Sequence, residues 1–223
     1  MGKRMNFSFI ICTNDPNQER IDISIATIND LEIPEYEIIV IGGNRIDKNL
    51  PNTIFLDFDE TVKGWLTKKK NIAALRARYD YLCICHDYFA FDAGWYEGWL
   101  KRTNEVGEWD IGSNQIRMVN NARDWGDWIS WDHPSVGKAK GVPYTDQSHT
   151  SYQFIAGHYF LVKKDLFLRF PLNEELVQAQ EEDVEWSLRV RNHSKIIFNQ
   201  HSVVRHLKIH RHLGLWKRRK FKC

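Results

Sequence analysis

The strongest constraint on the fold of this 223-residue chain is the alternation of strand-like and helix-like segments through its first half. Short runs of β-branched, aromatic and other apolar residues predict strands at 7–12, 37–41, 53–58 and 81–85. Apolar positions at helical spacing predict helices within 17–31 and 67–79. This alternation predicts an α/β fold with a mostly parallel, Rossmann-like central sheet flanked by helices.

The second half of the chain is less regular. Residues 105–150 mix Trp, Asp, Gly and Asn, which predicts long loops around short strands. Further elements are expected at 154–163 (a strand that contains Gly157), within 174–192 (a helix), and at 195–198 and 202–204 (short strands). A basic tail follows them.

Polar residues follow each of the four strands predicted in the first half. These strand ends read Thr13-Asn14-Asp15, Gly42-Gly43-Asn44, Asp57-Phe58-Asp59-Glu60 and His86-Asp87-Tyr88. Three of the four carry carboxylates. Because ligands of open α/β sheets bind beyond the carboxyl ends of the strands, the sequence predicts a polar ligand site at this edge.

Charge is unevenly distributed along the chain. Residues 201–223 hold eight Lys or Arg and no acid, whereas residues 1–200 hold 23 basic and 29 acidic residues, a net charge of −6. The mildly acidic body argues against a nucleic-acid partner. The tail interleaves apolar residues with lysines and arginines, which is compatible with peripheral contact to an anionic membrane and equally with a frayed, solvated end.

Several classes of protein are excluded by what the sequence lacks. No apolar run approaches the 18 residues of a transmembrane helix. There is no Gly-x-Gly-x-x-Gly or Walker A sequence, so a dinucleotide oxidoreductase and a P-loop enzyme are excluded.

Cys83 and Cys85 alternate within one strand and are expected to face the same core. Four cysteines without metal spacing favour a reduced, cytoplasmic compartment.

Two acidic positions could carry chemistry, and each also has a purely structural interpretation. Asp87, at a strand end, could bind Mg²⁺ or Mn²⁺ or could cap the next turn. Asp183, in the run Glu181-Glu182-Asp183 at a helix start, could act as a general base or could interact with the helix dipole.

Basic and aromatic side chains are further candidates. His206 follows a β-branched strand and could be a metal ligand, while Lys70 at a helix start could meet phosphate or face solvent. Trp125, Trp128 and Trp131 recur at every third residue among aspartates, a combination that suits a sugar ring or a local hydrophobic cluster.

Taken together and in this order, residues 6–207 resemble the nucleotide-sugar glycosyltransferases of the GT-A fold, family-two-like. The resemblance is carried by the strand and turn at 7–15, the helix start Lys70-Asn71-Ile72-Ala73, the strand Cys83-Ile84-Cys85-His86-Asp87-Tyr88, the segment at 91–96, the helix Glu182-Asp183-Val184-Glu185-Trp186-Ser187-Leu188-Arg189 and the strand Val203-Val204-Arg205-His206. The helix with its Glu-Asp pair, and its spacing from the metal strand, are the more specific parts.

The resemblance implies a role for each part of the chain. Residues 1–207 would form one domain, with a donor half at about 6–104, an acceptor half with a smaller sheet at about 105–207, and the tail at 208–223. The residues expected to contact the donor are Thr13, Asn14, Gly43, Asn44, Lys70, Asn71, His86 and Asp87. Trp125, Trp128 and Glu182 would contact the acceptor, a glycan, a lipid-linked molecule or a protein.

The implied reaction is a metal-assisted, inverting transfer of a sugar from a nucleoside-diphosphate sugar, in glycan or polysaccharide synthesis. Asp87 and His206 would hold Mn²⁺ or Mg²⁺, and Asp183 would take the proton from the acceptor hydroxyl. The sequence departs from the family at two places. Gly42-Gly43-Asn44 replaces an Asp-Asp-Gly-Ser-like turn, and His86-Asp87-Tyr88 offers one carboxylate where an Asp-x-Asp motif has two, so the metal is weakly held or absent.

Two alternatives use the same fold class. A sugar nucleotidyltransferase would use the same strand ends, although the Gly-rich basic loop expected after its first strand is replaced here by Thr13-Asn14-Asp15-Pro16. A non-catalytic carbohydrate-binding protein on a degenerate GT-A fold fits the reduced metal motif.

Overall fold

A computed structural model describes residues 4–14, 18–43, 49–148 and 150–207 of the chain. Asn44 and the basic tail at 208–223, both named in the sequence-based predictions, lie outside the described residues.

A large mixed sheet and a small antiparallel sheet organise the described residues. The strands are β1 (Phe7–Cys12), β2 (Tyr36–Ile41), β3 (Thr53–Leu56), β4 (Tyr81–His86), β5 (Phe89–Phe91), β6 (Ile111–Met118), β7 (Ile129–His133), β8 (Gly137–Gly141), β9 (Gln153–Phe154), β10 (Tyr159–Lys163) and β11 (Ile196–His206). The eight-stranded sheet has the order β3-β2-β1-β4-β10-β6-β11-β5, and the three-stranded sheet the order β8-β7-β9.

Within the ranges that the structure describes, five α-helices accompany the strands. They are α1 (Gln18–Asn29), α2 (Leu66–Arg76), α3 (Trp95–Val106), α4 (Lys164–Arg169) and α5 (Glu182–Val190). Strands β3, β2, β1 and β4 run parallel, and β10 is antiparallel to both β4 and β6. The fold is therefore the α/β type with a mostly parallel central sheet and a smaller second sheet that the sequence predicts.

The central strands are buried on both faces, as expected for a parallel sheet covered by helices. Phe7, Phe9 and Ile11 of β1 contribute to one hydrophobic cluster, and Ile10 and Cys12 contribute to the other. Cys83 and Cys85 both lie in the first cluster, on the shared face that alternation predicts. This packing on both faces fixes the strands and so fixes where their polar carboxyl ends lie.

The register of β1 and β4 brings two of the predicted site residues together. Cys12 pairs with His86 in the parallel ladder, so the next residues, Thr13 and Asp87, leave the sheet side by side. The polar strand ends of the sequence thus meet at one edge of the sheet.

The structure differs from the sequence-based predictions in the second half of the chain. The strand expected at 154–163 is divided into β9 and β10. The main-chain N–H and carbonyl of Gly157, between them, bond to side chains and not to a strand partner. The two short strands expected at 195–204 are one strand, β11, with an irregularity between Asn199 and Val203. Within the described residues, no helix is long and apolar enough to cross a membrane.

Candidate active site

A cavity of about 210 Å³ lies where the carboxyl end of β4, the end of β11 and the start of α5 come together. Its lining consists of His86, Tyr88, Asp124, Trp125, Gly157, His158, Gln178, Glu182, Asp183 and His206. Segments that lie far apart in the sequence therefore contribute side chains to one polar space.

Alternation at the end of β4 divides His86, Asp87 and Tyr88 between two surroundings. His86 and Tyr88 line the cavity, and the Tyr88 hydroxyl lies 2.8 Å from Nδ1 of His86. Asp87 does not line the cavity; it is buried, and its Oδ2 accepts a 2.7 Å hydrogen bond from the Thr13 hydroxyl. Asp87 therefore joins the ends of β1 and β4 beneath the site.

A buried imidazole–carboxylate pair forms another wall of the cavity. Nδ1 of His206 lies 2.8 Å from Oδ2 of Asp124, and the two side chains are only 3% and 2% exposed. Burial alone would raise the pKa of Asp124, but the hydrogen bond to His206, the nearby His158 and the N–H of Gly126 together lower it. Asp124 is therefore a carboxylate that fixes the orientation of the His206 ring.

Two consecutive lysines of α2 are fully buried beside the strand ends. The Lys69 ammonium donates to the carbonyl of Thr13 at 2.5 Å, to Oδ1 of Asn14 at 2.6 Å and to Oε1 of Glu60 at 2.5 Å. Gly42 has a φ of +87°, and a Cβ there would lie 2.4 Å from the Thr13 carbonyl oxygen, so only glycine fits this approach. Lys69 thus fixes the turn after β1 against the turn after β2.

Lys70 belongs to a chain of hydrogen bonds that leads to the start of α5. Its ammonium donates to the Gly157 carbonyl at 2.6 Å, and the Gly157 N–H donates to Oδ2 of Asp183 at 2.9 Å. A Cβ at Gly157 would lie 3.0 Å from the Asp183 Cβ and 3.4 Å from the Lys70 Nζ. The absence of a side chain at 157 therefore lets the lysine and the carboxylate approach the same turn.

The acidic start of α5 faces the cavity with two carboxylates. Oδ1 of Asp183 accepts from the N–H of Val184 at 3.0 Å, so both of its oxygens are oriented by the main chain. Burial raises the pKa of Glu182, although its own backbone N–H and the charge of Lys70 act in the opposite direction. A carboxylate held in this way can accept a proton from a hydroxyl in the cavity.

The described cysteines offer no nucleophile. Burial raises the pKa of Cys12 to about 11 despite the nearby Lys70 and Lys69, and it also raises the pKa values of Cys83 and Cys85. All three are thiols at neutral pH, and reactivity needs the thiolate.

The predicted site residues fall into three groups. His86, Trp125, Glu182, Asp183 and His206 line the cavity. Thr13, Asn14, Lys70 and Asp87 form the layer of hydrogen bonds at the adjoining strand ends, and Gly43 reaches that layer because its N–H lies 3.4 Å from Oε1 of Glu60. Asn71 and Trp128 lie elsewhere.

Asn71 and Trp128 have structural contacts. The Asn71 side chain bonds to the main chain of Leu172 in both directions and to Oε1 of Glu174, which uses both ends of the amide. Trp128 is 1% exposed, packs against Phe198 and donates from Nε1 to the Asp146 carbonyl. The contacts of Asn71 stabilise the loop at 172–174, and those of Trp128 belong to the core. Neither residue lines the cavity. Trp125, by contrast, is 46% exposed at the cavity rim.

Several residues of the site were not predicted from the sequence. They are Glu60, Lys69, Tyr88, Asp124, Gly157 and His158. Glu60 and Tyr88 already stand within polar strand ends, and a glycine inside an apolar strand-like run is a signal of close backbone approach. Asp124 carries no sequence signal that distinguishes it from Asp127 or Asp132.

The divalent cation implied by the family resemblance does not fit these residues. The two predicted ligands do not face the same space: His206 lines the cavity with its Nδ1 paired to Asp124, whereas Asp87 is bonded to Thr13 outside the cavity. Of the two cavity-facing positions of the motif, Tyr88 stacks its ring on His206 at 4.6 Å, and its hydroxyl lies 2.8 Å from Nδ1 of His86. Across the described ranges, no group of three or more His, Cys, Asp or Glu side chains could hold a metal ion.

Comparison with known proteins places the chain by its fold. No family model matches the sequence, and neither does any curated protein. Among solved structures, S. aureus TarS 1–349 in complex with UDP-GlcNAc superposes with a TM-score of 0.65 at 15% identity over 92% of this chain. GalNAc-T7, solved with UDP, GalNAc and Mn²⁺, superposes with a TM-score of 0.68 at 13% identity, also over 92% of this chain.

These neighbours are GT-A glycosyltransferases, so the fold predicted from the sequence is confirmed as the GT-A fold. The chain spans 60% of the TarS 1–349 chain and 44% of the GalNAc-T7 chain. At these identities the likeness establishes the architecture, and the activity must be argued from the site itself.

Proposed function

We propose that this protein is a glycosyltransferase that moves a sugar from a nucleoside-diphosphate sugar to an acceptor hydroxyl. The observation that carries the proposal is the convergence of polar groups on one cavity. The half-buried carboxylate of Asp183, fixed by two main-chain N–H groups, lines the cavity together with three histidines, and the buried Lys70 bonds to the carbonyl of Gly157 in its wall. Both neighbours named above were solved with UDP or a UDP-sugar, which makes UDP the first nucleotide to test.

The donor is proposed to lie over the ends of β1 and β4. Thr13, Asn14 and the Gly42–Gly43 turn, which are tied together by Lys69 and Glu60, would receive the nucleoside. Lys70 donates to the carbonyl of Gly157, which lines the cavity, and its charge would offset that of the diphosphate. Asp87 acts through Thr13 by holding the two strand ends in register.

The acceptor is proposed to enter past Trp125, whose exposed ring offers an apolar face for a sugar. Its hydroxyl oxygen attacks the anomeric carbon, the bond from that carbon to the diphosphate oxygen breaks, and the electron pair leaves with the diphosphate. Asp183 takes the hydroxyl proton, and Glu182 binds the acceptor beside it. A single displacement from the face opposite the leaving group inverts the configuration.

Glu182 is the alternative base for the same step. Its carboxyl also lines the cavity, and burial raises its pKa, which makes it a stronger proton acceptor once ionised. Asp183 is preferred because its orientation is fixed by the Gly157 and Val184 N–H groups.

The full-length protein should be titrated with UDP in a calorimeter and incubated with a panel of nucleotide sugars, with release of free nucleoside diphosphate as the readout. We expect UDP to bind and at least one sugar nucleotide to be turned over. Release of pyrophosphate from a nucleoside triphosphate would favour the nucleotidyltransferase. Glycan binding in the absence of nucleotide binding and turnover would favour the carbohydrate-binding protein.

A further inference from the structure

The side chains expected to hold a divalent cation at the end of β4 form hydrogen bonds within the protein: Asp87 with Thr13 and His206 with Asp124. We infer that this site binds the diphosphate of its donor without a divalent cation, the charge of the diphosphate being met by side chains of the chain itself, foremost Lys70. The inference rests on the proposed function and concerns the cofactor requirement of that site.

The carboxylates near the cavity already have partners. Asp124 accepts from the Gly126 N–H at 2.8 Å and pairs with His206, while Asp183 accepts from two main-chain N–H groups. Asp87 faces Thr13 beneath the site. Mg²⁺ and similar hard cations take several oxygen ligands at once, and no group of three or more His, Cys, Asp or Glu side chains among the described residues could hold a metal ion.

His86 and Tyr88 face the cavity two residues apart, the spacing of the carboxylates in an Asp-x-Asp motif, and neither is a carboxylate; Tyr88 places an aromatic ring there. Its ring stacks on His206 at 4.6 Å and lies 5.1 Å from Phe89, and its hydroxyl meets Nδ1 of His86. An aromatic stack fills this part of the site with apolar surface and a neutral hydroxyl. Neither is a ligand that a hard divalent cation prefers.

Positive charge is supplied close by. Lys70 is fully buried, and its ammonium donates to the Gly157 carbonyl; no carboxylate among the described residues forms an ion pair with it. That charge acts on both sides of the site: burial raises the pKa values of Glu182 on the cavity wall and of Cys12 at the end of β1, and the charge of Lys70 opposes both rises. A diphosphate lying between these two points would be within the same field.

Calorimetric titration of the full chain with UDP, in EDTA and in excess Mn²⁺, tests the inference. We expect the two dissociation constants to agree within about threefold, a difference below the 1.4 kcal/mol of a tenfold change. Binding that appears only with Mn²⁺, or tightens tenfold or more, would overturn the inference and leave the proposed function standing. If folded protein binds no UDP in either buffer, the donor proposal fails and the inference fails with it.

A designed carboxylate provides a second test. Tyr88→Asp places a carboxylate beside His206, and we expect Mn²⁺ to tighten UDP binding by this variant about tenfold, whereas the matched Tyr88→Asn variant gains nothing. Circular dichroism and thermal unfolding check that both variants fold. If UDP binding by folded Tyr88→Asp does not respond to Mn²⁺, the claim that Tyr88 stands in place of a cation ligand is overturned. The wild-type titration decides the inference if either variant fails to fold.

Discussion

The two ends of the central sheet both carry charged groups beside a cavity, but they use those groups differently. At the amino ends of β1 and β4, a groove of about 530 Å³ is lined by Arg4, Asn6, Arg78, Tyr79, Asp80, Tyr81, Glu108, Lys163 and Asp165. At the carboxyl ends, the cavity is smaller, about 210 Å³. Size alone would point to the amino end.

Burial distinguishes the two ends. Glu108 at the amino end is 63% exposed in its side chain, and its bond to Lys163 is an ordinary surface ion pair. At the carboxyl end, Lys69, Lys70, Asp87, Asp124 and His206 are all buried. Burying ionisable groups is costly unless they are paired or hydrogen bonded, so an edge of the sheet that holds five buried ionisable side chains is the better candidate for function.

The largest expected effect is at Asp183. Asp183→Asn keeps the shape of the side chain but removes the proton acceptor, and we expect transferase activity to fall about 10²- to 10⁴-fold, the usual contribution of a general base. UDP affinity should be unchanged, because the carboxylate is assigned to the acceptor hydroxyl. Turnover is measured with the sugar nucleotide found in the panel.

Glu182→Gln is the matched control for this experiment. It alters the neighbouring carboxyl in the same way and should reduce activity less than Asp183→Asn. A larger loss of transferase activity in Glu182→Gln than in Asp183→Asn would assign the role of general base to Glu182 and acceptor binding to Asp183.

The next effect concerns stability at the carboxyl end. Asp124→Asn removes the charge of a buried pair, and we expect the free energy of unfolding in urea at pH 7 to fall by about 3 kcal/mol. The pKa of Asp124 is lowered by folding, so its contribution is complete above the unfolded value of about 3.9 and is lost as the pH falls through the folded value. The difference between wild type and variant should therefore shrink below about pH 4.

A pH-independent difference between wild type and Asp124→Asn would mean that the charge of Asp124 contributes little. Asp132→Asn is a suitable control, because Asp132 pairs with Arg191 at the surface with a side chain that is 43% exposed. Its effect on the free energy of unfolding should be about 1 kcal/mol or less.

The next effect concerns UDP affinity, which should depend on Lys70 at the carboxyl end of the sheet and not on Lys163 at the amino end. Lys70→Met keeps much of the buried stem but removes the ammonium, and we expect UDP to bind about 10- to 100-fold more weakly, the equivalent of one charged hydrogen bond of ~1.5–3 kcal/mol. Lys163→Met, at the amino end, makes the same chemical change and should leave UDP affinity unaltered. Equal losses in both variants would indicate a general electrostatic effect of the lysines.

The sequence predicts the scaffold of the carboxyl end better than the site built on it. The bounds of β1 agree with the prediction, because a run of six residues, five of them apolar and all of them buried, is typical of a central strand. The polar strand ends were likewise recognisable, since the edge of a parallel sheet at which they gather follows from topology.

The features that the sequence did not predict are the directions in which side chains point and the contacts between residues far apart in the sequence. The motif His86-Asp87-Tyr88 suggests that the carboxylate faces the ligand, but strand alternation turns Asp87 towards Thr13 and leaves the two neighbours in the cavity. The pairing of Asp124 with His206 joins residues 82 positions apart and has no local pattern. Trp125 and Trp128 look equivalent in sequence, yet one is at the rim and the other in the core.

The smallest expected effect is on the Lys163–Glu108 ion pair at the amino end of the sheet. Burial lowers the pKa of Lys163, but its hydrogen bond to Glu108 at 2.9 Å and the charge of Asp110 at 3.6 Å outweigh this and raise it. The contribution of the pair to stability is therefore present at neutral pH and lost only as the pH rises through the raised value of Lys163.

Because Lys163 and Glu108 are 24% and 63% exposed, solvent screens the pair, and Glu108→Gln should change the free energy of unfolding at pH 7 by no more than about 1 kcal/mol. UDP affinity and turnover should equal those of wild type. A loss of turnover in this variant, with stability unchanged, would show that the larger groove takes part in function and that burial of charge is the wrong criterion for separating the two ends of the sheet.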